Sequence, residues 1–477
     1  MKKGRLWSKK NQTALAIFAA VFFFGLVFAA IVPAGSLAPD EGQQVQIVNF
    51  LAREKKPPVF NVERDLYFVT WLDSGAYYLM TYNPPLSYLP YLLANISGSK
   101  NDQKNDLLPM RIISSFFMAL FAAFLFLALC NFSPKELLPA AAVTIFISFI
   151  PQVIYSAAYV NLEPFALFVC AVIFYLFGRI FLFEKDDFWS YLLLGISFAA
   201  LALCKVNYLA SAVFFTVLTL VFIIRDKEEW RQKIKNILTI ILPVLAIAGW
   251  WWVRNFRLYR DPIIINYISK QIIARAPAWF SPPAANGYNL ITIIFRPDFA
   301  RFAFLGFFAG LGSVDIFLPS FFYLLFLLIL IFLICKIFVD RKEKQRSEIF
   351  LTLFFLIFLI VDFLIFARKN LIDFSPQGRH LFPMLVPLAW VLFLGARKIR
   401  NHLVLLVIAA FSLFSAIWAL AVVYQKYRIE GLVSFHQNLR AFQFWPCVVY
   451  FILFAAAIAF VIINIANKSK TQNPNVK

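Results

Sequence analysis

Residues 14–42 read ALAIFAAVFFFGLVFAAIVPAGSLAPDEG, and this stretch decides the class of fold. Residues 14–34 carry no charged side chain, and at about 1.5 Å of rise per residue such a helix crosses roughly 30 Å of hydrocarbon. The basic opening MKKGRLWSKK (1–10) and the small residues from Ala34 to Ala38 imitate a secretory signal. A signal's apolar region runs only about 7 to 15 residues, however, so the stretch is predicted to stay in the chain as a span. An adjacent acid pair, Asp40 and Glu41, follows the span at once.

Working outward, eleven further apolar runs of comparable length lie near 107–130, 137–154, 162–183, 188–204, 207–224, 237–253, 317–339, 348–367, 380–396, 402–423 and 446–466. The expected fold is therefore an all-α polytopic membrane protein of about twelve transmembrane helices. Composition agrees: 62% of the 477 residues are hydrophobic, 15% are charged and 58 are Phe. Ordinary soluble domains are about 45–50% apolar and about 25% charged, so a water-soluble protein is excluded. Cys130, Cys170, Cys204, Cys335 and Cys447 all sit in or beside apolar runs, without CxxC spacing, so neither a disulfide framework nor a zinc ribbon is indicated.

The net charge of +20 does not point to nucleic acid, because the basic residues come in short clusters between apolar runs. The two termini and the alternate short loops, among them RDKEEWRQKIKN (225–236), DRKEKQRSE (340–348) and ARKIRN (396–401), hold more than half of the 45 Lys and Arg residues. The opposite side is nearly three times as long and holds fewer. Both termini are therefore expected in the cytoplasm of a plasma (inner) membrane protein. Segments 35–106, 254–316, 368–379 and 424–445 then lie outside. Within them VQIVNFLAREKKPP (45–58) reads as an amphipathic helix, while TYNPPLSYLPYLLANI (81–96) and FSPPAANGYNLITIIFRPDF (280–299) are Pro-broken pieces suited to the membrane surface. The tail NKSKTQNPNVK (467–477) is polar and cytoplasmic in this reading.

No P-loop, HExxH or GxSxG motif is present, and the three His residues are scattered. What remains is a set of polar residues at external span ends. Asp40 and Glu41 read either as a solvated turn or as a carboxylate that accepts a proton from an attacking hydroxyl, with a divalent cation as an open option at the pair. Arg111 opens the second span as an anchor. Glu163 in NLEP and Lys205 in LCKVNY lie at or inside span ends, where a charge costs enough to make function the default reading. Arg254 follows a Trp run that reads as an interfacial belt. In SPQGRHLFP (375–383), Arg379 and His380 stand at the mouth of the tenth span, and a planar guanidinium there suits a phosphate.

The order of these elements is similar to that of the GT-C glycosyltransferases. APDEG, NPPLSY with Tyr88, FIPQVIYSAAYVNLEP, ISFAALALCK, FFAGLGSVDIFLP and QGRHLFP resemble a multispan branch related to protein O-mannosyltransferases and aminoarabinose transferases. The resemblance covers most of residues 14–396, which would form the catalytic module between a cytoplasmic segment 1–13 and C-terminal helices 397–466. It implies inverting transfer of a sugar from a polyprenyl-phosphate donor to an acceptor hydroxyl on a glycan, lipid or protein, at the external face. Carried over, Asp40 would be the preferred catalytic or metal-associated carboxylate with Glu41 beside it, and Lys205, Arg379 and Arg254 would be candidates to meet the donor phosphate. Glu163, Arg111, His380 and Tyr88 would support them. Gln44 and Asn83 stand where the branch often has His, which weakens a metal site, since amides are poorer ligands than imidazole. Two rivals remain: a transporter or flippase of a lipid-linked or polar solute, and a polysaccharide polymerase or ligase using diphosphate-linked glycans.

Overall fold

The computed structural model describes residues 2–33, 38–59, 83–96, 107–183, 187–226, 228–275, 281–339 and 346–429. The expected twelfth span, the tail and Cys447 lie outside the described residues, as do much of segment 35–106 and most of segment 424–445.

Seventeen α-helices are described, and they follow the apolar runs closely. They are α1 (Lys2–Ile31), α2 (Glu41–Glu54), α3 (Leu89–Ile96), α4 (Leu107–Phe132), α5 (Leu137–Ser148), α6 (Pro151–Tyr155), α7 (Glu163–Phe183), α8 (Phe188–Ala202) and α9 (Leu209–Arg225). They continue with α10 (Trp230–Tyr259), α11 (Ile265–Arg275), α12 (Leu290–Ile294), α13 (Pro297–Ala309), α14 (Ser320–Val339), α15 (Arg346–Ile372), α16 (Leu385–Ala396) and α17 (His402–Ile429). Among the described residues nine helical segments are long and apolar enough to cross a membrane, from Lys9–Ile31 to His402–Arg428.

Two of the expected spans are shorter than a membrane requires. Run 137–154 breaks into α5 and α6 because Pro151 has no N–H and holds Ile150 in an extended conformation at ψ 124°. All twelve residues of α5 are buried, so it runs through protein and has no lipid-facing side to satisfy. The run at 188–204 yields only the 15 residues of α8, which end in a turn before Lys205.

The α1, α4, α5 and α7 helices make the centre of the bundle, packed through one continuous apolar core that includes Phe24, Phe28, Phe121, Phe126, Phe146 and Trp390. Lipid is the natural solvent for the outside: Leu242, Ile360 and Phe338 are 57%, 61% and 73% exposed. Polar pairs mark the two ends. At one end Lys10 Nζ donates to Asn131 Oδ1 at 2.7 Å, joining the start of α1 to the end of α4. At the other, the end of α1 meets the starts of α4 and α7 and the end of α8, and over them α2, α3 and the turn that leads into α3 pack through Val48, Leu51, Tyr88 and Tyr91 against Val160 and Leu162. The segment VQIVNFLAREKKPP is thus helical as expected, ending where Lys55 turns left-handed at φ 51°.

Candidate functional site

Where α1 ends, the chain must turn back over the bundle to begin α2, and two acids divide the work of that turn. Glu41 is fully buried. Its Oε1 accepts from Arg111 Nε at 2.8 Å and from the Val160 N–H at 3.0 Å, and its Oε2 accepts from Arg111 Nη2 at 2.6 Å. Arg111 also donates to the carbonyls of Ala29 (2.9 Å), Val32 (2.6 Å) and Pro33 (3.0 Å). Those carbonyls belong to the end of α1, where a helix leaves acceptors without intrahelical partners and carries partial negative charge. Arg111 therefore closes the end of α1 and ties the start of α2 to it.

Asp40, one residue earlier, is held in the left-handed region at φ 64°, ψ 2°. That conformation costs an L-residue about 1–2 kcal/mol and is most readily adopted by Asn and Asp. Asp40 occupies the N-cap position of α2, yet its side chain makes no capping bond. The carboxylate instead accepts from Arg379 Nη2 at 2.5 Å. Arg379 is held by two further contacts, Nε to Gln377 Oε1 at 2.8 Å and Nη1 to the Tyr159 hydroxyl at 3.5 Å. It is 3% exposed at the side chain against 24% for Asp40, so the carboxylate is the accessible half of the pair. Gly378 sets this arrangement by close approach: a Cβ there would stand 1.9 Å from the Phe307 backbone nitrogen in α13.

A third buried pair joins the start of α7 to the turn after α8, with Lys205 Nζ donating to Glu163 Oε1. Among the described residues, the second oxygen, Glu163 Oε2, has no hydrogen-bond partner. Asn161 accepts from the Glu163 N–H at 3.2 Å, and its carbonyl accepts from the Tyr91 hydroxyl at 2.5 Å, which also meets Ser114 Oγ at 3.0 Å. Lys369, at the end of α15, lies 3.3 Å from His380 Nδ1.

These pairs form one electrostatic cluster around Asp40. Burial is the largest influence on the Asp40 carboxyl and by itself would raise its pKa. The attraction of Arg379, then of Lys205, the Arg379 hydrogen bond and the attraction of Lys369 together outweigh it and hold the group below its ordinary value. The carboxylate is thus ionised at neutral pH and faces three cations.

Of the residues singled out from sequence, Asp40, Glu41, Arg111, Glu163, Lys205, Arg379 and His380 come together at one end of the bundle. Tyr88 stands beside them in the apolar cluster under α2 and α3, receiving a bond from Asn83 Nδ2 at 3.3 Å. Arg254 lies at the same end of the bundle but outside this cluster: it donates to the Pro58 carbonyl at 2.8 Å and lies 4.7 Å from the Trp251 ring centroid. Sequence reasoning missed Lys369, Tyr159 and Gln377. Lys369 carried a usable signal, since it follows the ninth apolar run on the same side as SPQGRHLFP. Among the described residues no group of three or more His, Cys, Asp and Glu could hold a metal ion.

The fold and the cluster define an all-α, multi-pass membrane protein with a buried ion-pair site where its helix ends converge. The chain belongs to the family described as "Predicted membrane protein (DUF2142)", whose model matches residues 63–389. No curated protein matches the sequence. Solved structures that are similar at low identity include two membrane proteins. One is the Archaeoglobus fulgidus oligosaccharyltransferase tethered with an acceptor peptide containing the NVT sequon, at 12% identity and TM-score 0.38, with 95% of this chain and 55% of that one covered. The other is ArnT from Cupriavidus metallidurans in the apo state, at 12% identity and TM-score 0.32, with 80% of this chain and 76% of that one covered. The chain thus spans about half the length of the oligosaccharyltransferase.

Proposed function

We propose that the protein is an inverting glycosyltransferase that moves a sugar from a polyprenyl-phosphate donor to an acceptor hydroxyl at the external membrane face. The observation that carries this reading is the strained, solvent-accessible Asp40 carboxylate paired with a buried Arg379 and faced by Lys205 and Lys369. A polyprenyl phosphate keeps its tail in lipid and its sugar phosphate at headgroup depth. Such a substrate requires cations at span ends with a carboxylate above them, and this cluster supplies both.

In the reaction the acceptor oxygen attacks the anomeric carbon, the bond from that carbon to the phosphate oxygen breaks, and polyprenyl phosphate leaves with the bonding electrons. The acceptor proton passes to Asp40. The Asp40–Arg379 pair gives this transfer a direction. As Asp40 takes the proton it loses its charge and its hold on Arg379, while the departing phosphate gains charge. Arg379 thereby exchanges one oxyanion for another as the transition state forms, which is the differential stabilisation that accelerates a reaction. A carboxyl with a depressed pKa is a weak base. Sharing Arg379 with the leaving group offsets that weakness. Glu41 takes no part in the chemistry in this reading: its two oxygens already accept three bonds, and its work is to hold Asp40 in place through Arg111.

The test is to incubate the purified protein with radiolabelled polyprenyl-phosphate sugars and a membrane extract, then identify the labelled product and the released lipid. The expected outcome is a glycosylated acceptor and polyprenyl monophosphate. Release of polyprenyl diphosphate from a diphosphate-linked glycan would instead place the protein among polymerases and ligases, and labelled donor moved across the bilayer unchanged would make it a flippase.

A further inference from the structure

We infer that a groove between α8 and α10, at the end of the bundle opposite Asp40, binds one anionic phospholipid of the surrounding bilayer. The end follows from the chain path: α8 finishes just before Lys205 in the Asp40 cluster and α9 runs back, so the start of α8 at Phe188 and the start of α10, which runs parallel to it, lie at the far side. The two helices cross closely where a Cβ on Gly195 would stand 2.5 Å from the Ile240 carbonyl. Beside that crossing a groove of about 550 Å3 opens to the outside. Its walls are apolar, with Phe188 and Leu192 on one side and Leu238 and Leu242 on the other, and its mouth carries Arg231 and Lys235.

Three observations specify the occupant. Arg231, Lys235, Leu238 and Leu242 succeed one another along one face of α10, so the basic mouth leads straight into the apolar trough, as a phosphate headgroup leads into an acyl chain. The neighbouring polar residues are used otherwise: Lys233 Nζ donates to the Ile224 carbonyl at 2.8 Å, and Asn236 Nδ2 to Glu228 Oε2 at 3.1 Å. Among the described residues, no ion pair engages Arg231 or Lys235. Finally, Trp189 and Trp230, the second residue of α8 and the first of α10, are 67% and 62% exposed. Exposed Trp at helix starts marks the headgroup level, which sets the two cations at phosphate depth. Paired basic residues at the mouth of an intramembrane pocket select anionic over zwitterionic headgroups.

The experiment is native mass spectrometry of the protein in micelles supplied with equal phosphatidylglycerol and phosphatidylcholine, with a photoactivatable phosphatidylglycerol to locate the site. The protein is expected to retain one phosphatidylglycerol in preference to phosphatidylcholine, crosslinked within residues 231–246. Arg231→Gln/Lys235→Gln should weaken that preference by about 30-fold, roughly fivefold per basic residue. Arg231→Lys/Lys235→Arg should keep it, and Arg400→Gln in another loop should leave it unchanged. Leu242→Trp, which fills the trough and spares both charges, should also lose the lipid. Equal retention of the two lipids, full retention by the Gln double variant, or crosslinks spread over the bundle would overturn the inference. So would polyprenyl phosphate displacing phosphatidylglycerol at equal concentration, or α10-to-α10 crosslinks between two copies through a cysteine at Leu242.

Discussion

Replacing Arg111 with Met should be among the most damaging single changes near the site, and the structure gives its size. Arg111 and Glu41 are 5% and 0% exposed at the side chain, so water does not screen the pair. Removing Arg111 strands a buried carboxylate whose single remaining donor among the described residues is the Val160 N–H. Breaking such a pair from one side costs about 3–5 kcal/mol. Glu41→Gln is the milder change. Arg111 keeps its three carbonyl acceptors at the end of α1, and the loss is that of a charge-assisted pair, about 1.5–3 kcal/mol. In the double variant neither charge is left stranded, so the combined cost should fall short of the sum of the single costs by roughly 1.5–3 kcal/mol, within the range for residues in one network. Unfolding of the detergent-solubilised variants, followed by tryptophan fluorescence and helical circular dichroism, measures all three. Costs that add to within about 0.5 kcal/mol would show the pair to be uncoupled and would refute the reasoning.

At the adjacent acid the larger effect should fall on activity: Asp40→Asn keeps volume, tolerates the left-handed backbone and leaves Arg379 its Gln377 and Tyr159 contacts, so stability should fall by no more than the about 1.5–3 kcal/mol of a charge-assisted pair while transfer falls by about 100 to 10,000-fold. Near-normal turnover would move the assignment to Glu163. Arg379→Lys should retain part of the transfer activity because the charge survives without the fork, and Arg379→Ala should lose far more and bind polyprenyl phosphate more weakly; normal transfer by a folded Arg379→Ala would transfer the phosphate role to Lys205 or Lys369. The acid limb of the transfer rate should lie below the ordinary Asp value of 3.8, since Asp40 is held low and its charge is lost only as pH falls through that depressed value, and in Arg379→Lys or Arg379→Ala the limb should move to higher pH as the fork is lost. Single cysteines at positions 61 and 286 should react with an impermeant thiol reagent in intact cells, and protection of both would invert the topology.

Much of this fold was legible because lipid leaves few options. A helix that spans a bilayer needs a continuous apolar run, and such runs stand out in FFF, LFLLILIFL and their neighbours regardless of tertiary context. Legibility ended where protein replaced lipid. The run at 137–154 looked like a span because it is predominantly apolar and carries no charge, yet its surroundings are other helices, and Pro151 could then break it without exposing backbone to hydrocarbon. Hydropathy measures how dry a segment must be and is silent on whether the dry neighbour is lipid or protein.

The site was legible as a set and illegible in its pairings. Glu163, Lys205 and Arg379 announced themselves because charges at span depth need partners, but the partner of each depends on which helix ends meet. Asp40 and Glu41 are the sharpest instance. They are neighbours in sequence with the same functional group, so nothing in their own chemistry separates them, and only the resemblance favoured Asp40; the geometry gives each a different partner. Glu41 opens a right-handed helix whose first turn faces the bundle, which sends its carboxylate down onto Arg111 and the end of α1. Asp40 precedes that helix in a left-handed turn, which aims its carboxylate sideways at Arg379 and leaves a quarter of it open to an incoming molecule. One residue's change of backbone hand thus separates the acid that holds the helix ends together from the acid proposed to receive a proton. The buried anchor beside it is what makes the strained turn affordable.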